Sequence, residues 1–257
     1  SGGRVLIDQD GALFPAEVSN RYFRGDGASP GAAILAGLHF LSIEPRTILD
    51  VGANIGELSI YFARQLPDCR VIAFEPAPEN LAGFRANLAL QDPSLGNLEL
   101  VPEAVSDRSG TIAFSIGAGL LNTAMLEANR ARLGAIEGVS EVDVPADTLE
   151  GHCARLGVDR IDLLKIDIEG GEPLLAGAVA GMKGRIGAAF VEISVFNSLE
   201  AYGRLIEAFG QAGLVMAGKD LRRIPEPLAW LGARLAQGPA RNVWFIDPDR
   251  ARPPRPS

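Results

Sequence analysis

The chain has 257 residues, 47% of them hydrophobic and 22% charged, with 32 acids against 24 bases and a formal net charge of -8. This is the composition of a folded globular protein, which excludes disordered, collagen-like and coiled-coil chains; the length suits one large α/β domain or two small ones. The acidic balance without a basic patch argues against a nucleic-acid partner, no apolar run reaches the ~18 residues of a membrane span, and two cysteines, Cys69 and Cys153, make neither a disulfide framework nor a four-ligand zinc site, so a reducing cytoplasm is the expected compartment.

In chain order, Arg4–Ile7 and Ala12–Phe14 flank a turn at Asp8-Gln9-Asp10-Gly11 and read as a hairpin. Ser29-Pro30 opens an apolar helix through Leu41. Residues 1–46 thus form an N-terminal hairpin and helix extension, expected to cover an active site built by residues 47–246. From Thr47 a regular alternation begins. Strands are expected at Thr47–Val51, Arg70–Phe74, Asn97–Val105, Ile161–Ile166 and Ala188–Ile193, with further β segments at Thr111–Ser115 and Val142–Val144 around an unassigned stretch, Gly117–Gly138. Helices are expected at Glu57–Leu66, Glu79–Leu90, Thr148–Leu156, Glu172–Val179 and Leu199–Gln211. Leu214–Met216 and Asn242–Ile246 close the series, and the proline-rich tail, residues 247–257, is expected to be loose. Short apolar strands alternating with helices of about ten residues indicate βαβ units and a mostly parallel sheet with helices on both faces. Ligands in such folds bind where the strands end, at the point where strand order reverses.

The strand ends carry the chemistry. The first runs Asp50-Val51-Gly52-Ala53-Asn54-Ile55-Gly56-Glu57, a turn whose glycines let a ligand approach the backbone. It departs from the G-x-G-x-x-G dinucleotide fingerprint, because Asn54 and Glu57 stand where the second and third glycines belong. The second strand ends Phe74-Glu75-Pro76, and Glu75 lies 23 residues beyond Gly52, near the ~20-residue spacing at which an acid accepts ribose hydroxyls. The pair indicates a nucleoside-bearing ligand. Small groups at Val105, Ser106 and Asp107, at the end of the third strand, suit the edge of an adenine. The fourth strand leads into Lys165-Ile166-Asp167-Ile168-Glu169-Gly170-Gly171-Glu172, three acids in six residues. Lys165 shares strand parity with Asp167 and is expected to offset its charge; Glu172 fits a helix start. Glu192 ends the fifth strand beside them. Of the two histidines, His39 and His152, neither follows a core strand, and both read as structural.

In this order these motifs resemble the FkbM-type methyltransferases, over roughly residues 45–250. The most specific pieces are Lys165-Ile166-Asp167-Ile168-Glu169-Gly170 and Asp50-Val51-Gly52-Ala53-Asn54-Ile55-Gly56. The resemblance implies a Rossmann-like class I fold, with a seven-stranded sheet whose last strand is antiparallel, and S-adenosylmethionine as cofactor. It implies an O-methyltransferase acting on a hydroxyl of a small molecule, sugar or secondary metabolite. Asp50, Gly52, Asn54 and Gly56 would then line the methionine and ribose, Glu75 would hold the ribose hydroxyls, and Val105, Ser106 and Asp107 would sit by the adenine. Asp167 would face the methionine or the reacting centre.

An alcohol needs a base to become a good nucleophile, and Asp167, Glu169 and Glu192 are the candidates. Mg2+ held by Asp167 and Glu192 is the less favoured possibility, because the Asp-Asn pair that some magnesium-dependent enzymes carry after the fifth strand is replaced by Glu192-Ile193-Ser194. The residues leave two other readings open: an NAD-dependent oxidoreductase and a non-catalytic nucleoside-binding module. The expected partner is a small-molecule or sugar acceptor, with no membrane; a homo-oligomer stays open.

Overall fold

The structure, a computed structural model, describes residues 6–9, 12–15, 30–91, 94–116, 140–194, 197–236 and 240–251. Its centre is a seven-stranded sheet. Five strands run parallel: β3 (Thr47–Val51), β4 (Arg70–Phe74), β5 (Leu98–Val101), β9 (Ile161–Ile166) and β10 (Ile186–Ser194). Then β12 (Ala240–Ile246), the last strand, pairs antiparallel with both β10 and β11 (Val215–Ala217). The order is β11-β12-β10-β9-β3-β4-β5. Order runs outward from β3 on one side and from β9 on the other, so the switch point lies between these two strands.

Parity along the strands sends alternate apolar side chains to opposite faces. Leu49, Val51, Ile72, Phe74, Leu164 and Ile166 pack on α4 (Leu149–Leu156), α5 (Ala176–Gly181) and α6 (Leu199–Gln211). Ile48, Val71, Leu163 and Ala188 pack on α1 (Pro30–Phe40) and α2 (Glu57–Gln65). Each such fully buried aliphatic side chain stabilises the fold by roughly 1.5–3 kcal/mol. Both faces are covered, which is why the strands read as continuous apolar runs. On the second face Phe84 of α3 (Pro78–Leu88) packs with Ile60 and Ala73.

Four features differ from the sequence expectations. The expected strand Asn97–Val105 is split: β5 ends at Val101, and Ala104–Ser106 (β6) belongs to a second sheet. Pro102 causes the break, since it has no N–H to give the ladder. The second sheet, ordered β6-β8-β7, pairs the two expected β segments, β7 (Gly110–Ile116) and β8 (Ser140–Thr148), with Ile112 opposite Val144. Its apolar side, Ala104, Ile112, Phe114, Val144 and Ala146, packs on Ala77, just past the end of β4.

Secondly, the expected helix Glu172–Val179 begins as a 3-10 turn, Glu172–Leu175, before α5. Thirdly, α7 (Pro227–Leu235) was not anticipated; Pro227 sits in its first turn, where a missing N–H costs nothing. Fourthly, the start of the tail is held rather than loose. Arg250 donates to the Leu41 carbonyl at 2.8 Å, and Ala251 packs on the cluster that contains α1.

The N-terminal hairpin pairs β1 (Leu6–Gln9) with β2 (Ala12–Pro15), and β2 runs within 8 Å, Cα to Cα, of α2 and α3. Asp10, Gly11, Gly117–Gly138 and the tail beyond Ala251 lie outside the described residues.

Candidate active site at the switch point

At the end of β3 the chain turns through Gly52 (φ 80°), Asn54 (φ 52°) and Gly56 (φ 87°). The two glycines are required by space as well as by conformation. A Cβ on Gly52 would lie 1.8 Å from the Asp167 carbonyl oxygen, and one on Gly56 2.8 Å from the Phe84 ring. Asn is the non-glycine residue that best tolerates a left-handed position, so this turn is conformationally consistent with its sequence.

Glu75 is only 4% exposed and tied to that turn. Its Oε2 accepts the Asn54 N–H at 2.8 Å, and its Oε1 accepts the Ala77 N–H at 2.9 Å and the Asn80 side-chain amide at 3.2 Å. Burial raises its pKa against these hydrogen bonds and the charge of Lys165. A carboxylate has about four acceptor positions; three are engaged, which leaves Oε2 one further hydroxyl to accept.

Asp50 is placed differently from its expected position beside a ligand. It is 0% exposed, on the face covered by α2. Its Oδ1 lies 2.9 Å from Lys165 Nζ, and its Oδ2 accepts the Ser59 hydroxyl at 2.5 Å. The reason is register: Asp50 and Lys165 are direct partners across β3 and β9. Asp50 therefore supports the turn from behind. Lys165 also donates to the Gly52 carbonyl at 2.7 Å and stands 3.7 Å from Asp167. Burial would lower its pKa, but Asp50 and then Asp167 hold it above the ordinary lysine value.

Asp167, Glu169 and Glu192 do converge: one oxygen from each lies within 4.8 Å of the other two. Burial, with the charges of Asp167 and Glu169, pushes the Glu192 pKa up to about 8, and a protonated Glu192 donates to Asp167. Burial and then Asp167 push Glu169 up to about 7, opposed by Lys165. These values sit near neutral pH, where a group can both take and return a proton.

Glu169 adopts φ 51°, unusual for a glutamate. Glu172 holds it there. Rather than sitting at an open helix start, Glu172 is 0% exposed. Its Oε1 accepts the N–H groups of Ile168 (3.3 Å) and Gly170 (3.0 Å), and its Oε2 accepts the Tyr202 hydroxyl at 3.3 Å. Asn197 donates to the Gly170 carbonyl at 2.7 Å and to Tyr202 at 3.3 Å. The loop after β9 is thus fixed from α6. Tyr202 and Asn197 were not legible in the sequence as site residues.

Val105 and Ser106 are buried in β6, beside the packing of the second sheet on Ala77, and Asp107 is half exposed next to Arg108. His152 is fully buried, with Nε2 3.1 Å from the Ala104 carbonyl, Nδ1 2.9 Å from Arg155 and its ring 4.7 Å from that of Phe74. Burial lowers its pKa. It ties β6 to α4, a structural role.

Residues 50–215 match the methyltransferase FkbM domain, which is more than half of the chain. The chain belongs to the FkbM methyltransferase family. Among similar proteins, methyltransferase sdnD of Sordaria araneosa is 32% identical over 49% of this chain and 57% of its own length. The 2-O-methyltransferase NoeI of Sinorhizobium fredii is 26% identical over 66% and 72%. The 31-O-demethyl-FK506 methyltransferase FkbM of Streptomyces tacrolimicus is 31% identical over 52% and 60%. The chain thus spans little more than half the length of some of the FkbM-type relatives it matches.

One acid in the FkbM turn has no compensation. Glu57 opens α2 with its Oε1 buried and without a hydrogen-bond partner among the described residues, and burial raises its pKa to about 8. In the unfolded chain it titrates at its ordinary value near 4.5, so stability falls as pH rises from there to about 8 and is flat above. Glu57→Gln is expected to stabilise the fold at pH 8 by roughly 1–3 kcal/mol, discounted for partial exposure, and to have no effect near pH 4. Thermal melts at the two pH values check this; an equal effect at both would refute it.

Proposed function

We propose that the chain transfers the methyl group of S-adenosylmethionine to a hydroxyl of a small molecule, a sugar or a secondary metabolite. The observation that carries this is one juxtaposition. A glycine turn locked to Glu75 at ribose spacing meets a three-carboxylate group across the switch point. Family membership favours this reading over the nicotinamide and non-catalytic ones, and two of the relatives above are named for O-methylation.

The residues fit the cofactor. Gly52, Asn54 and Gly56, all at positive φ, shape the turn assigned to its methionine part, and Glu75 keeps one acceptor position for a ribose hydroxyl. Val105, Ser106 and Asp107 are assigned to the adenine. Bound there, S-adenosylmethionine supplies an electrophilic methyl group on a sulfonium. The chain's task is to hold the acceptor oxygen in line, exclude water and take its proton. Asp167 is central to the acid group, and Glu192 and Glu169, in their ionised forms, are placed to take up the acceptor's proton. The N-terminal extension, residues 1–46, is assigned as the cover, since β2 runs beside the helices that start from the site.

Oxygen ligands at this spacing could also hold a divalent cation. We favour a metal-free site, because the Lys165 ammonium stands 3.7 Å from Asp167 and already offsets its charge. No helix among the described residues is long and apolar enough to cross a membrane, and both cysteines are free and buried, which suits the cytoplasm.

The test is methyl transfer from radiolabelled S-adenosylmethionine to a panel of sugars and hydroxylated metabolites, with and without a chelator. An O-methylated product at undiminished rate in chelator is expected. Transfer only to nitrogen would overturn the hydroxyl assignment, and activity abolished by chelation would overturn the metal-free one.

A further inference from the structure

The two strand ends that meet at the switch point are stitched together by backbone. The Asp167 N–H donates to the Val51 carbonyl at 3.0 Å, and the Asp167 carbonyl fills the space where a Gly52 side chain would stand. The Lys165 side chain spans this seam. It is 5% exposed, and its ammonium donates to the Gly52 carbonyl at 2.7 Å, pairs with the fully buried Asp50 at 2.9 Å and reaches Asp167 at 3.7 Å. We propose that Lys165 is a positioning residue, which holds the glycine turn and Asp167 in register for the amino-acid half of the cofactor.

The reasoning is geometric. The Gly52 carbonyl faces the ammonium on the buried side of the turn, so the orientation of the Gly52–Asn54 peptides follows that hydrogen bond. Without it, the carbonyl and the Asp50 carboxylate both face a buried space with one donor fewer, and each would turn toward another partner. Asp50 and Asp167 would also repel across the seam, with Glu192 adding to the same negative field. The nucleoside half is held mainly by other groups: Glu75 accepts from Asn54, Ala77 and Asn80, and Lys165 acts on it through charge and through the turn that carries Asn54. Lys165 therefore acts more strongly on the amino-acid half of the ligand than on the nucleoside half. A lysine that merely stabilised the fold would not make that distinction.

The proposal rests on the cofactor placement given above, and the experiment separates the two. Calorimetric titrations compare S-adenosylhomocysteine with 5′-methylthioadenosine, which keeps the adenosine and sulfur but lacks the amino-acid chain. In Lys165→Met, S-adenosylhomocysteine affinity is expected to fall about 10- to 100-fold, the range for losing a charged hydrogen bond, while methylthioadenosine affinity falls far less. Should that variant not fold, Asp50→Asn combined with Lys165→Met removes the unpaired buried charge, and the same split is expected. Unchanged S-adenosylhomocysteine affinity, or an equal loss for both ligands, would overturn the role of Lys165. A wild-type chain that binds neither ligand would instead overturn the cofactor placement.

Discussion

Asp167→Asn is expected to lower methyl transfer by about two to four orders of magnitude in a protein that stays folded, the usual range for losing a positioned acid-base group. The side chain is 37% exposed, so an isosteric amide leaves no buried void. The electrostatic consequence is larger. Asp167 stands beside the ammonium of Lys165, and its charge adds to burial in raising the pKa values of both Glu192 and Glu169. A neutral amide removes that charge and leaves burial, so both pKa values fall part of the way toward the ordinary glutamate range. Wild-type activity should fall as pH drops below about 7–8, where Glu169 and Glu192 take up protons. The residual activity of Asp167→Asn should keep an acidic limb displaced to lower pH. Full activity in this variant would remove Asp167 from the chemistry, and an unmoved limb would mean that other groups set the pH dependence.

The second large effect concerns Glu75. Glu75→Gln is expected to weaken S-adenosylhomocysteine binding about 10- to 100-fold. Each carboxylate oxygen already accepts at least one internal N–H, Oε2 from Asn54 and Oε1 from Ala77 and Asn80. Whichever way the amide turns, its own NH2 meets a donor. The turn must then shift, or the hydrogen bond to the ribose is lost. Calorimetry on the variant and the wild type gives the ratio; equal affinities would show that Glu75 serves the turn alone.

The parts of this site that were legible in the sequence are local. Gly52 and Gly56 mark a turn because their backbone conformations exclude other residues, and Glu75 stands at a fixed spacing from them along one βαβ unit. Parallel strands covered on both faces are continuous apolar runs, so β3, β4, β9 and β10 were readable, and the acids after them with them. What escaped depends on distant register. Lys165 shares parity with Asp167, which suggested that pair, but alignment of β9 against β3 sets Asp50 opposite Lys165 and makes it the closer partner. Glu172 reads as the opening acid of a helix; its partner Tyr202, and Asn197, which holds Gly170, lie on and before a helix 25 or more residues away, and no local pattern announces them. The second sheet was hidden by Pro102, which cuts an apolar run at a point where composition alone continues it.

Binding of S-adenosylhomocysteine tests the central claim most directly, because it requires the glycine turn, Glu75 and Asp167 together and needs no knowledge of the acceptor. Calorimetric titration of the wild-type chain is predicted to show one saturable site for S-adenosylhomocysteine and no binding heat with NAD. Binding of NAD without S-adenosylhomocysteine would contradict the account.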